Sequence, residues 1–173
     1  MAVREILQLG NPILWRESEH VSDCNSDHVR NIIQDLDDTL KAFREREGYG
    51  RALAGPQISH LKRIVFVRMP PSGLCGALIN PEIVWESRER ITLWDDCLSF
   101  PELLVQVSRA RSVRVKYLDA DGKDVTVEAE GALSELLQHE IDHLDGILAI
   151  ERAVSPQSFM TRYEWERSGR ARP

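Results

Sequence analysis

Residues 131–148 read GALSELLQHEIDHLDGIL, and this stretch decides how the rest of the chain is arranged. Leu133, Leu136, Leu137, Ile141, Leu144 and Leu148 recur at three- and four-residue intervals, the spacing of one helix face. No proline interrupts them, and Gly146 follows as a stop signal. On that helix His139 and His143 stand one turn apart and project from the same side, as two ligands of one metal ion must. Glu140 then lies beside the metal's open position, where a carboxylate can take a proton from bound water and hand it on. The chemistry indicated is metal-assisted hydrolysis. The plain alternative is a helix with two unrelated histidines and a surface glutamate. Leucines flank the histidines closely, so the helix is expected to be buried, and one metal would satisfy both buried rings.

Two histidines do not hold a catalytic metal; a third protein ligand is usual. A downstream histidine in the pattern H-E-x-x-H-x-x-G-x-x-H is excluded, because Ala149 stands at its place. A glutamate on a following helix is a second source, and Glu164 or Glu166 would serve in a zinc peptidase. That helix is expected over about 156–166, opened by Ser155-Pro156. The third source is a cysteine. Cys24, Cys75 and Cys97 are odd in number and form no C-x-x-C pair, which argues against a disulfide framework and for a reducing compartment. Cys24 and Cys75 sit in polar or proline-rich turns, whereas Cys97 lies in WDDCLSFP (94–101).

At this point the chain resembles the peptide deformylase family. GRALAGPQ (50–57) is similar to that family's G-x-G-x-A-A-x-Q, DDCLS (95–99) to its E-G-C-x-S, and HEIDH (139–143) to its H-E-x-x-H. The opening, Glu5-Ile6-Leu7 followed by Gly10-Asn11-Pro12-Ile13-Leu14, is similar too. Three motifs in order are far more specific than one. The resemblance implies Cys97, His139 and His143 as metal ligands, Glu140 as acid/base, and Gln57 with the Leu98 amide as oxyanion donors. It implies one divalent ion, iron(II) by preference, with zinc, nickel or cobalt as substitutes. The substrate would be N-formyl-methionyl peptides or nascent chains, lying beside Gly50-Arg51-Ala52, with Leu136 as a wall of an apolar pocket suited to methionine.

Departures from the family surround the catalytic groups without falling on them. Asp95 stands for a glutamate and Asp96 for a glycine, where φ > 0 or close backbone approach would be possible. Ala52 stands for a glycine, adding a methyl beside the expected substrate path. Gly55 stands for an alanine and is expected to loosen its turn. Arg51 puts a cation where the family has a small aliphatic side chain; it either points to solvent or attracts acidic groups further along the peptide. Arg109 either pairs with Asp95 or lies on the surface.

The remaining sequence sets bounds. A chain of 173 residues is expected to form one domain over 1–173, with 168–173 a frayed tail. Net charge −6 without a basic stripe gives no indication of nucleic acid binding. No apolar run approaches membrane-spanning length and no signal-peptide core is present, so a soluble cytoplasmic monomer is expected. An amphipathic helix is expected over 27–46, a glycine-rich loop over 49–57, and strands over 63–68 and 76–84 around a Pro70-Pro71-Ser72-Gly73 turn. Strands over 112–118 and 124–129 flank Asp119-Ala120-Asp121-Gly122, a hairpin signal. His20, His28 and His60 are expected at the surface, and Trp85, Trp94 and Trp165 as packing groups. This order without βαβ alternation indicates an α+β fold, antiparallel or mixed sheets wrapped around the central metal-binding helix.

The reading is a metal-dependent hydrolase that removes the formyl group from formyl-methionine of newly made polypeptides. The alternatives are the zinc peptidase and a catalytically weak, metal-stabilised peptide-binding paralogue.

Overall fold

The computed structural model describes residues 2–69 and 73–170. The first helix, α1 (Asp27–Glu47), follows the expected range within a residue. Ser26 caps it by accepting from the Val29 amide, and Gly48 ends it at φ 78. Strands β1 (Ala52–Ala54), β2 (Ile64–Met69), β3 (Leu74–Glu86), β4 (Arg90–Asp96), β5 (Leu103–Ala110), β6 (Ser112–Leu118) and β7 (Asp124–Glu130) come next. Then follow α2 (Ala132–Leu144), β8 (Phe159–Thr161) and α3 (Arg162–Arg167). One sheet has the order β1-β2-β3-β6-β7 and the other β4-β5-β8, with antiparallel pairing throughout both.

The larger sheet is buried on both faces near β1 and β2. Leu53, Ile64 and Phe66 pack with Leu36, Leu40 and Phe43 of α1. Their neighbours Ala52, Ala54, Val65 and Val67 point the other way, onto Leu136, Leu137, Ile141 and Leu144 of α2. Successive side chains of a strand face opposite sides, so the apolar run Ile64-Val65-Phe66-Val67 serves two cores at once. A third cluster joins Cys97, Phe100, Val105 and Val107 of the smaller sheet's hairpin to Leu14 and Leu148. Helix α2 is thus enclosed by both sheets, with every residue from Ser134 to Leu144 buried. The α+β arrangement around a central helix is the one expected.

Several local expectations are corrected. The hairpin β4–β5 was not expected, because its inward face carries Asp95 and Arg109 where an alternating pattern calls for apolar residues. The helix expected over 156–166 begins only at Arg162. Phe159–Thr161 pairs with Leu103–Val105, and the Thr161 side chain caps α3 by accepting from the Glu164 amide. The loop 49–57 contains β1 and a 3-10 turn, Gly55–Ile58. Trp85 is half exposed with Arg114 over its ring, whereas Trp94 and Trp165 meet edge-to-face at 5.8 Å. His60 is half-buried, 3.5 Å from Asp35.

Of the turn expected at 70–73, residues 70–72 lie outside the described residues, as do 171–173 of the tail. Within that tail, Ser168 Oγ donates to the Trp165 carbonyl at 2.7 Å, and the Arg170 guanidinium lies 5.2 Å from the Trp165 ring centroid. Among the described residues no helix is long and apolar enough to cross a membrane.

Candidate metal centre

Helix α2 is fixed to β5 before its histidines come into play. Gln138 treats Ala110 as a strand partner would, accepting from its amide at 2.9 Å and donating to its carbonyl at 2.9 Å. Ser134 Oγ donates to the same carbonyl. One turn further on, Arg109 reaches between helix and hairpin. Its guanidinium pairs with Asp142 of α2 and lies 3.2 Å from Asp95 of β4. Arg152 adds a second contact to Asp142 at 2.7 Å. Of the two readings of Arg109, the Asp95 pair is the one found.

Asp95 Oδ2 also accepts from His139 Nδ1 at 3.0 Å. With its proton on Nδ1, the ring keeps the Nε2 lone pair for a ligand. Burial opposes the charge on Asp95, yet His139 and Arg109 together hold the carboxyl below its usual range. Burial likewise works against charging His139, but Asp95 overrides it and raises the imidazole well above its ordinary value. His143 has no such carboxylate; burial and the neighbouring His139 push it well down.

Cys97 follows β4 directly, and its Sγ lies 3.2 Å from His143 Nε2. Ligand atoms of Cys97, His139 and His143 all fall within 4.8 Å of one another, and all three residues are buried. Burial pushes the Cys97 thiol up. A buried thiol beside two imidazoles is what a divalent cation would deprotonate and bind, and one sulfur with two nitrogens suits zinc and the later first-row metals. The donor set therefore fits a metal ion. Glu164 and Glu166 are exposed on α3 and belong to neither group of metal-capable side chains among the described residues, which removes the zinc-peptidase ligand set.

Gln57 closes the 3-10 turn after β1. Its Oε1 accepts from the Ala54 amide at 2.9 Å, which turns Nε2 toward Ser99 Oγ at 3.1 Å and Cys97 Sγ at 3.6 Å. The N-terminal segment supports this arrangement from outside. The Leu7 amide donates to the Gln57 carbonyl, the Leu9 amide to the Ser99 carbonyl, and Gln8 Nε2 to the Leu98 carbonyl.

A pocket of about 60 Å³ opens between these elements. Gly50, Arg51, Ala52, Gln57, Cys97, Leu98, Leu136, His139 and Glu140 line it, so every expected site residue except His143 meets there. His143 lies behind it, against Cys97 and the His139 ring. Asp96, noted from the sequence only as a departure from the family pattern, also lines the pocket, as do Tyr49 and Glu135, which were not singled out as site residues. Glu135 is one helical turn before His139, a spacing that could have drawn attention to it. Burial pushes Glu140 up to about 7, with His139 and Arg51 opposing.

The departures acquire structural reasons. Arg51 neither points to solvent nor stands free for substrate; it pairs with Glu135 Oε2 at 2.9 Å. Asp96 does not need the left-handed conformation, and its carboxylate binds the buried Arg162 at 2.7 Å. Gly55 does more than loosen a turn. A Cβ there would lie 2.6 Å from the His60 carbonyl oxygen, so the alanine of the family pattern has no room.

The polypeptide deformylase family model matches residues 3–159. The chain belongs to the peptide deformylase family. A peptide deformylase of Thermomicrobium roseum is 42% identical over 159 residues, covering 88% of this chain and 86% of that protein. Peptide deformylase 2 of Clostridium perfringens is 40% identical over 153 residues, covering 88% and 94%. Among solved structures, the peptide deformylase of Thermotoga maritima superposes with a TM-score of 0.81 at 30% identity, covering 90% of this chain and all of that one. A peptide deformylase of Ehrlichia chaffeensis in complex with actinonin gives 0.81 at 28% identity, covering 97% and 94%. Deformylases are metal-dependent hydrolases acting on formylated nascent peptides, the enzyme class that the three motifs imply.

Proposed function

We propose that this chain removes the formyl group from N-terminal formyl-methionine through a divalent ion, iron(II) by preference, held by Cys97, His139 and His143. The observation that carries the reading is the meeting of Cys97 Sγ with His143 Nε2 at 3.2 Å, beside a His139 whose other nitrogen is held by Asp95. When bound, the metal supplies Lewis acidity and a water acidic enough to yield hydroxide near neutral pH.

The protein's own groups do the remaining work. Glu140, pushed up to about 7 by burial, is poised to accept a proton and return it to the departing amine near neutral pH. Its Oε2 is buried with no hydrogen-bond partner within the protein, and the residue lines the pocket. Gln57 Nε2 and the Leu98 amide are the donors for the charge that develops on the formyl oxygen, and Gln57 is already oriented by Ala54. Strand β1 ends the larger sheet, so a substrate lying extended beside Gly50-Arg51-Ala52 can add to that edge. Leu136 supplies an apolar wall.

Residues 1–173 act on this reading as one catalytic domain and a monomer in the cytoplasm, with zinc, nickel or cobalt able to replace iron. The net charge of −6 favours peptide over nucleic acid as partner. The test is formate release from a formyl-methionyl peptide under anaerobic conditions, with metal content measured on the same sample. A metal-replete protein without turnover overturns the reading. Cys97→Ser is expected to lose the metal; a variant that retains it removes the thiolate from the ligand set.

A further inference from the structure

Outside the catalytic pocket lies a larger groove of about 690 Å³, and Tyr49 and Leu98 line both. Ile6, Phe43, Tyr49 and Leu98 give the groove its apolar surface, with Tyr49 edge-to-face on Phe43 at 5.1 Å. One side is the N-terminal segment, held to α1 where the Arg4 amide donates to Thr39 Oγ1 at 2.9 Å. The other is the start of α3, held where the Arg162 amide donates to the Glu102 carbonyl at 2.8 Å. Helix α3 lies beyond residues 3–159, so this side of the groove is outside the matched family pattern.

The groove's charge is one-sided once its ion pairs are considered. Arg4 is taken by Asp35, Arg46 by Glu47 and Arg162 by Asp96. Glu5, Glu102 and Glu166 also line the groove; they are exposed and, among the described residues, have no ion pair.

We propose that this groove receives the substrate chain downstream of its formyl-methionine and favours lysine or arginine at the fourth and fifth residues. This rests on the deformylase reading above. A substrate extended beside Ala52, Arg51 and Gly50 advances residue for residue with the strand, so about three residues pass before Tyr49 is reached. Beyond that point the groove continues the path. The aliphatic stems of lysine and arginine can lie on its apolar surface while their heads stay near the carboxylates. An exposed ion pair contributes only a few-fold, and salt weakens it. Selection for methionine at the first residue is unaffected, because Leu136 does not line the groove.

The test uses metal-replete protein in dilute buffer and three formyl-methionyl decapeptides, with kcat/KM for formate release as readout. Two have the same composition, with a pair of lysines either at the fourth and fifth residues or at the last two. The third has glutamates at the fourth and fifth. The net charge of −6 attracts both lysine peptides alike, so their difference isolates the groove. The near lysines are expected to lead the distant ones by about fivefold and the glutamates by about tenfold. The gap should appear mainly in KM, because the groove is remote from the reacting carbon, and should close in about 0.5 M salt. In Glu102→Gln/Glu166→Gln the near-to-distant ratio is expected to fall toward one. Equal rates for the two lysine peptides, or a ratio that the folded double variant leaves unmoved, overturn the proposal. Either result leaves the groove to another occupant, such as a second copy of the chain, and the deformylase reading standing. Formate from none of the peptides, nor from a formyl-methionyl dipeptide, overturns both. If the double variant does not fold, the ratio of the two lysine peptides decides alone.

Discussion

Asp95 Oδ2 accepts both from His139 Nδ1 at 3.0 Å and from the Arg109 guanidinium at 3.2 Å. One carboxylate thus fixes the tautomer of His139 and ties the hairpin to the helix. Asp95→Ala frees the imidazole to rotate, and partners of this kind are worth about 10–100-fold in metal affinity. Competition with a chelator of known affinity measures the change. An affinity within twofold of the parent would show that helix packing alone orients His139.

Glu140→Gln keeps the shape of the side chain and removes its proton acceptor. Turnover is expected to fall by about 10²–10⁴-fold with metal content and melting temperature nearly unchanged. Near-parental activity in a metal-replete sample would sink the assigned role.

Gln57→Leu removes a donor to the developing oxyanion and a hydrogen bond to the Ala54 amide. The barrier is expected to rise by about 2.7–4 kcal/mol, appearing in kcat more than in KM. Stability is expected to fall by about 1 kcal/mol from the lost turn contact. Activity that declines only with the folded fraction would reduce Gln57 to a loop tie.

Asp96→Gly restores the residue of the family pattern but strips the buried Arg162 of its partner. Removing one member of a buried pair typically destabilises by about 3–5 kcal/mol. Urea unfolding measures it. A neutral result would mean that the Pro101 carbonyl, which also accepts from Arg162, holds the guanidinium alone.

Burial pushes Glu135 from 4.5 up to about 7, with Asp95 adding to the rise and Arg51 opposing it. The folded state therefore holds this proton longer than the unfolded chain. Its contribution to stability is full below about pH 4.5 and is lost as pH rises toward 7. At about 1.4 kcal/mol per pH unit, the whole window is worth ~3 kcal/mol. In metal-free protein unfolded by urea at about pH 5 and about pH 7.5, Glu135→Gln should lose less stability than the parent by most of that amount. Parallel pH dependence in the two proteins would place the titration elsewhere.

Helix α2 was legible because Leu133, Leu136, Leu137, Ile141 and Leu144 repeat at helical spacing, although the pattern's last member, Leu148, lies beyond the helix end. The β6–β7 hairpin was legible because Asp119 and Gly122 carry its turn: Asp119 Oδ1 accepts from two amides, and Gly122 sits at φ 77. Cys97, His139, His143 and Gln57 were picked out by motif resemblance, and the fold brings them together. The pairing partners were not. Arg51 and Glu135 are 84 positions apart in the numbering, and no local pattern couples an arginine in a loop to a glutamate one turn before a histidine. Strand β5 failed for the same reason, since a buried Arg109 is acceptable only where Asp95 and Asp142 already wait for it. Long-range charge compensation overrides local alternation, and it is concentrated around the site.

The three contacts from residues 7–9 to Gln57, Leu98 and Ser99 bear on how the protein is made and handled. This segment is synthesised well before its partners and can bind them only when stretches far downstream have emerged, with Gln8 and Leu98 separated by 90 positions. Until then the strap has nothing to grip, and the loops of Gln57 and Ser99 lack their outer brace. Proteolytic clipping ahead of Gly10, or a bulky fusion that pulls on this segment, would therefore loosen the two loops that present the oxyanion donors while leaving the helix and its histidines untouched.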